Sequence, residues 1–245
     1  MDTHLDVAHE GERWQIAIKR RRRRTFGITV YPDGSITAAV PIRASMRDVR
    51  KVVGEKARWI ARQRAILARP TTPRLYFVHG EHHRYLGRRL RLRVFARLPS
   101  PISPQVRQTG RFLDVYEPTG EPLAVRALLR SWYQAQAAQL FAQRLAVHLP
   151  AFPGARTPRL RIKAMKTCWG SINRVSNGLS LNVDLIRAPL LCLDYVVIHE
   201  LCHLDYPHHG PSFWRAVAQK MPGWQSPKQR LDRLSRVLHI DGLWF

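Results

Sequence analysis

Cysteine is scarce in this chain of 245 residues, and its three copies, Cys168, Cys192 and Cys202, lack C-x-x-C spacing. So few cysteines exclude a disulfide framework and favour a reducing compartment, which predicts a cytoplasmic location. Long apolar runs are also missing, because the stretch from Pro189 to Leu204 is interrupted by acidic residues and histidines. It falls short of the roughly 18 apolar residues of a membrane span. We therefore expect a soluble protein without a membrane segment, and the polar start, Met1 to Glu12, predicts no secretory signal.

Acidic residues are few as well. The chain has 17 Asp and Glu against 41 Lys and Arg, a formal net charge of +24. Such a charge attracts polyanions, and nucleic acid would be held mainly by phosphate contacts that weaken with salt. The uninterrupted basic run from Lys19 to Arg24 suits phosphate, although such a run is more often a solvated loop or strand end. Because arginine outnumbers lysine 34 to 7, a codon bias toward arginine is the alternative explanation of the charge.

The first half of the chain has the pattern of a β-rich fold. Between Trp14 and Val40 apolar residues alternate around the turn signal Pro32-Asp33-Gly34, which predicts a β-hairpin or meander. Ser45 and Asp48 resemble a capping box at the start of one helix over about residues 46–68. β-branched and aromatic residues predict further strands in three segments: Leu75–Val78, Arg84–Phe95 and Phe112–Tyr116.

A long alanine- and leucine-rich helix is predicted from Pro122 to about His148. Two strands follow, Leu160–Met165 and Leu179–Val183, with the turn signal Asn177-Gly178 before the second strand. The chain is thus predicted to be an α+β protein. Its basic, β-rich N-terminal region covers residues 1–121, and its second domain covers residues 122–245.

The segment His199-Glu200-Leu201-Cys202-His203 carries the strongest functional signal. The apolar pattern after Pro189 predicts a helix over residues 190–205. On that helix His199 and His203 are one turn apart on the same face, so both imidazoles can bind one Zn²⁺ ion. Glu200 is rotated away from that face, where its carboxylate can take a proton from a zinc-bound water. The alternative is a pair of core histidines without a function, but ionisable residues are seldom buried without a partner or a functional role.

A catalytic zinc site needs a third protein ligand and an open position for water. No glutamate follows Glu200 in the sequence, which leaves histidine as the third ligand. Pro207 ends the helix and lets the chain turn back, so that His208 or His209 can reach the ion. His209 lies ten residues after His199, the spacing of the metzincin pattern, although Tyr206 occupies that pattern's glycine position.

Taken together, these segments resemble the YgjP-like metal-dependent hydrolases, which are related to the SprT and Spartan type of zinc peptidase. The matching segments are Tyr195–Leu204, His209–Trp214, Trp169-Gly170-Ser171 and Leu179–Asn182, with Trp59-Ile60 and Tyr85–Arg88 nearer the N-terminus. The resemblance implies a zincin-like core, metal ligation by His199, His203 and His209, and Glu200 as the catalytic residue. The family usually reads Arg-Trp-Gly-Ser-Cys where this chain has Cys168-Trp169-Gly170-Ser171-Ile172, so roles of that Arg and Cys do not transfer.

The function predicted from the sequence is zinc-dependent hydrolysis of amide bonds in a peptide or protein. Glu200 would activate the zinc-bound water, and the substrate would lie along the Leu179–Val183 strand as an added β-strand. Tyr206, Arg174 and His208 are candidates for stabilising the oxyanion. Two alternatives stay open: a nucleic-acid-binding protein whose zinc is structural or vestigial, and a peptidase recruited to DNA or RNA by its charge.

Overall fold

The computed structural model describes residues 3–31, 33–68, 74–96, 103–238 and 243–244. The chain divides into two units, Met1–Pro73 and Arg74–Phe245. The division predicted from the sequence, between residues 121 and 122, lies inside the second unit. The described residues form six α-helices and three β-sheets, a mixed α and β architecture.

The first unit contains a four-stranded sheet. Its strands are β1 (Thr3–His9), β2 (Glu12–Arg21), β3 (Gly27–Val30) and β4 (Ile36–Pro41), in the order β1-β2-β4-β3. β3 and β4 form the predicted antiparallel hairpin, although Pro32 of its turn signal lies outside the described residues. The alternative of a meander is wrong, because β2 pairs in parallel with β4 and not with β3.

Two helices replace the single one predicted over residues 46–68. α1 (Met46–Glu55) begins at a capping box, in which the Ser45 hydroxyl accepts from the backbone N–H of Asp48 and the Asp48 carboxylate accepts from the backbone N–H of Ser45. The helix ends at Glu55, and its C-cap residue, Lys56, has φ −98° and ψ 2°. α2 (Ala57–Ala68) then begins. Apolar residues of both helices and of the sheet form the core of this unit.

A second four-stranded sheet begins the second unit. Its strands are β5 (His82–Tyr85), β6 (Arg88–Phe95), β7 (Gln105–Thr109) and β8 (Phe112–Tyr116), in the order β5-β6-β8-β7. The strand predicted at Leu75–Val78 is absent. The backbone N–H groups of Tyr76 and Phe77 donate instead to the Glu81 carboxylate, so they are not available to a strand partner.

The long helix α3 (Pro122–His148) packs its buried face into the core of the second unit, with Leu129, Tyr133, Ala137 and Phe141 at four-residue intervals. A three-stranded sheet follows: β9 (Arg159–Lys163), β10 (Gly170–Asn173) and β11 (Gly178–Asn182). Three helices complete the unit: α4 (Leu190–Cys202), α5 (Pro211–Lys220) and α6 (Gln225–Leu238). Among the described residues, no helix is both long and apolar enough to span a membrane.

Candidate metal centre

Helix α4 positions the first two histidines. It is buried on nearly every side, because it packs against α3, α5, α6 and β10. The helix ends at Cys202, three residues before the predicted end. His203 is its C-cap residue, and its φ of −68° and ψ of −12° are still in the right-handed helical region. His199 and His203 therefore keep the i, i+4 relationship of a helix, and both side chains project to the same side.

The loop after α4 brings His209 back to these two histidines. The backbone turns at residues 203–210, and α5 begins at Pro211, which occupies the first turn of that helix. Nε2 of His209 lies 3.0 Å from Nε2 of His199 and 3.1 Å from Nε2 of His203. One ligand atom from each of the three histidines lies within 4.8 Å of the others. His208 is exposed and does not belong to this group.

The three imidazoles fit a zinc ion. Tetrahedral zinc with nitrogen ligands at about 2.0–2.1 Å places neighbouring nitrogens about 3.3 Å apart, close to the observed separations. The ring orientations also fit. Nδ1 of His203 lies 2.9 Å from the carbonyl oxygen of Tyr206, which can only accept, so Nδ1 carries the proton and Nε2 presents its lone pair. Nδ1 of His199 lies 3.4 Å from the hydroxyl of Tyr195.

Burial favours the neutral form of His199 and His209, the form that binds metals. Burial, followed by the neighbouring imidazoles of His203 and His209, lowers the pKa of His199 to about 3. Burial also lowers the pKa of His209, with His203 and His208 adding to the effect. Phe213 of α5 is fully buried, and its ring centroid lies 4.9, 4.5 and 4.7 Å from those of His199, His203 and His209. Phe213 therefore packs against all three rings.

Strand β10 holds Glu200, which lines the same cavity as the three histidines. It is 6% exposed, and burial raises the pKa of its carboxyl to about 7 against the opposing effect of a hydrogen bond from the backbone N–H of Ile172. Gly170 makes room for the side chain. A Cβ atom at Gly170 would lie 2.9 Å from Cγ and Oε1 of Glu200 and 2.9 Å from Cγ1 of Val196.

A cavity of about 730 Å³ opens over the histidines and Glu200. Tyr195 lines it, four residues before His199 on α4, and sequence reasoning missed this residue although its helical spacing could have indicated it. Of the three oxyanion candidates, Arg174 lines the cavity, whereas the Tyr206 and His208 side chains do not. Trp169 and Cys168 also line it. The cavity is therefore walled by helices on one side and by β10 on the other.

The strand beside the cavity is not the one expected. The sheet order is β10-β11-β9, so Leu179–Asn182 lies in the central strand and is paired on both sides. The prediction that this segment is a free edge is wrong. Within the described part of the chain, β10 is the edge strand nearest Glu200. The sequence could not show this, because the long-range parallel pairing of β11 with β9 decides which strand is central.

Three convergent imidazoles beside a buried carboxylate, at the base of an open cavity, define a metal-dependent hydrolase. The family model "YgjP-like, metallopeptidase domain" matches residues 24–234. The chain therefore belongs to the YgjP-like metallopeptidase family and is a metal-dependent peptidase, which confirms the resemblance noted in the sequence.

Two solved structures are similar to part of this chain. One is the metallopeptidase zymogen of Pyrococcus abyssi abylysin, at 24% identity and a TM-score of 0.35, covering 40% of this chain and 94% of that one. The other is the metallopeptidase zymogen of Methanocaldococcus jannaschii jannalysin, at 19% identity and a TM-score of 0.35, covering 40% of this chain and 96% of that one. No curated protein matches the chain significantly.

Proposed function

We propose that the protein is a zinc peptidase in which His199, His203 and His209 hold the ion and Glu200 is the general base. The observation that carries this proposal is the convergence of the three Nε2 atoms. Nε2 of His209 lies 3.0 Å from that of His199 and 3.1 Å from that of His203, and the buried Glu200 is nearby. In this proposal the zincin-like core comprises residues 122–245, from α3 to the end of the chain.

A bound zinc supplies a Lewis acid, which lowers the pKa of water toward about 7 and polarises a carbonyl. The residues of the chain supply the proton transfers. Glu200 accepts a proton from the attacking water and passes it to the leaving amine nitrogen. The Ile172 N–H bond and the close contact with Gly170 hold the carboxylate in one position, so no reorganisation is needed when the proton moves.

The substrate in this proposal lies extended along β10. An edge strand offers backbone N–H and C=O groups to an added strand, and β10 is the strand whose residues line the cavity beside Glu200. Backbone pairing with an extended chain places a peptide bond beside the three histidines. Such pairing does not depend on side chains, so we expect activity on unstructured peptides of varied sequence.

Metal analysis of the purified protein, together with cleavage of casein with and without a chelator, tests this function. We expect about one zinc per chain, cleavage by the metal-loaded protein, and loss of cleavage on chelation that added zinc restores. A protein that binds zinc and cleaves no unstructured substrate would support the alternative, a structural or vestigial zinc site. The intact Glu200 favours the enzyme, since a closed structural site needs no general base.

A second candidate function is attraction of nucleic acid by the basic surface. Arg21, Arg22 and Arg24 are exposed, and within the described residues none of their side chains makes a hydrogen bond or an ion pair. Arg20 differs, because its Nη1 donates to the carbonyl oxygens of both Ile42 and Ala44 at 2.8 Å. The free arginines are available to phosphates, which favours a peptidase recruited to DNA or RNA. A cytoplasmic location, proposed from the cysteine content, agrees with such partners.

A further inference from the structure

The first unit contains a cavity of its own, which shares no lining residue with the cavity of the metal centre. It has a volume of about 240 Å³ and five lining residues, which we call the aromatic-cationic pocket: Phe26, Ile28, Val52, Lys56 and Trp59. Val52, Lys56 and Trp59 lie at four- and three-residue intervals across the junction of α1 and α2. Phe26 immediately precedes β3 and Ile28 lies in it, and β3 is the edge strand of its sheet among the described residues.

The aromatic ring of Trp59 is accessible to a ligand. It is 43% exposed, and within the described residues no other ring stacks on it and no hydrogen bond holds its indole N–H. Single exposed apolar residues are ordinary on protein surfaces. Trp59 is different because its ring borders a cavity whose other walls are apolar or cationic. An indole face in that position can stack on a planar group that enters the pocket.

Positive charge lies in the wall of the pocket and next to one of its lining segments. Lys56 is exposed and forms part of its wall. The guanidinium of Arg23 lies over Gly27, where an added Cβ would be 2.9 Å from its Nη1, and Gly27 stands between Phe26 and Ile28, which line the pocket. The exposed residues Arg22 and Arg24 belong to the segment that leads from β2 to Phe26. Cations are therefore placed both in the pocket wall and at its approach.

We propose that the aromatic-cationic pocket binds an unpaired base of a single-stranded nucleic acid. The base stacks on Trp59 against the apolar walls, and Lys56 and the Arg22–Arg24 segment contact the adjoining phosphates. A planar ring flanked by an anion matches an aromatic face flanked by cations. An acidic peptide would use the cations but gain little from the indole face. The cavity, with a volume of about 240 Å³, has room for one heteroaromatic ring.

The inference deepens the second proposed function, the attraction of nucleic acid by the basic surface, and rests on it. It is independent of the peptidase site. General charge attraction has no need of Trp59 and treats duplex and single strand alike apart from their charge density. Base stacking requires an aromatic side chain and an unpaired base. Dependence on Trp59 therefore separates the pocket from the charge of the surface as a whole.

Fluorescence anisotropy with a labelled 12-mer of thymidine, titrated with the full chain at several salt concentrations, tests the proposal. Trp59→Leu is expected to weaken binding about tenfold with little change in the slope of log affinity against log salt. Lys56→Gln is expected to lower that slope by about 0.7, the value of one phosphate contact on a single strand. Trp59→Phe keeps an aromatic face and should retain most of the affinity.

Two variants serve as matched controls. Tyr76→Leu removes an aromatic side chain that is 66% exposed in the other unit, and it should leave the affinity unchanged. Arg13→Gln removes an exposed cation at the opposite end of β2 from the Arg22–Arg24 segment, and it should change the slope less than Lys56→Gln does. A circular dichroism melt of each variant establishes that it is folded.

Several results would overturn the proposal. If folded Trp59→Leu bound the oligonucleotide as tightly as the unsubstituted chain, the pocket would have no role and only the basic surface would remain. Equal weakening by Trp59→Phe and Trp59→Leu would rule out stacking. If polyglutamate bound more tightly than the oligonucleotide, and its binding depended on Trp59 in the same way, the occupant of the pocket would be an acidic peptide. Absence of oligonucleotide binding even at low salt would overturn both this inference and the second proposed function.

Discussion

Gly170 lies against Glu200 so closely that no side chain fits between them. A Cβ atom at residue 170 would come within 2.9 Å of both Cγ and Oε1 of the glutamate. The contact joins the edge strand β10 to the helix that carries the histidines. It explains in physical terms why the sequence has glycine in the Trp169-Gly170-Ser171 segment, and it links the position of the proposed substrate strand to that of the proposed base.

Gly170→Ala should therefore displace Glu200 or β10 while leaving the histidines in place. We expect kcat to fall by about a hundredfold, since a small misplacement of a reacting group costs that much, and zinc content to stay unchanged. Steady-state kinetics and metal analysis measure the two effects. Gly54→Ala is the matched control, because a Cβ at that position meets nothing within 4 Å. Unchanged kinetics in Gly170→Ala would show that the contact is not needed for catalysis.

Glu200→Gln should keep the zinc and the fold and remove most of the hydrolysis. The amide has the shape of the carboxylate but cannot accept the proton, and loss of a general base costs about 10²- to 10⁴-fold in rate. Casein cleavage and metal content are measured on the same preparation. The variant should bind nucleic acid as the unsubstituted chain does. Turnover at the original rate would refute the role proposed for Glu200.

The third metal ligand can be tested with two adjacent histidines. His209→Ala should leave only two imidazoles and strongly reduce zinc affinity, because Nε2 of His209 lies within 3.1 Å of both other Nε2 atoms. His208→Ala is the matched control and should keep its zinc, since His208 is outside the cluster. Zinc stoichiometry after dialysis against a weak chelator measures both variants. Loss of zinc from His208→Ala and retention by His209→Ala would reverse the assignment.

Because of Asp194, the free energy of unfolding of the protein should depend on pH in the acid range. Burial raises the pKa of its carboxyl, but hydrogen bonds from His148 at 3.0 Å and Arg144 at 2.6 Å outweigh that effect, so the pKa in the folded protein is lowered. An unfolded Asp has a pKa of about 3.9. The stabilisation is therefore complete above that value and is lost as pH falls through the lower folded pKa.

Urea unfolding of Asp194→Asn should accordingly show a loss of about 2 kcal/mol at pH 7, and a smaller difference from the unsubstituted chain below about pH 3.9. Asp232→Asn is the control, because Asp232 pairs with Lys228 on the surface, where both side chains are well exposed. The lowered pKa would be contradicted if the difference in free energy of unfolding between Asp194→Asn and the unsubstituted chain stayed constant from pH 7 to pH 3.

Local patterns in the sequence predicted much of this structure. The capping box at Ser45 and Asp48 was recognisable because it depends on residues three apart. The two histidines of α4 were predicted to share a face for the same reason, since four residues make about one helical turn. The break at Lys56 was missed, because apolar spacing continues across it and buried residues of both helices face one core.

The sequence by itself determined which residues could share a helical face, where the helix with two histidines starts, and that a third histidine follows within reach of the first two. These are properties of short stretches of chain, governed by helix geometry and by proline. Only the tertiary structure decided that β10 and not β11 is the edge strand, that Phe213 supports all three imidazoles, and that Gly170 faces Glu200. Each of these depends on contacts between segments far apart in the chain, and local propensity does not specify such pairings.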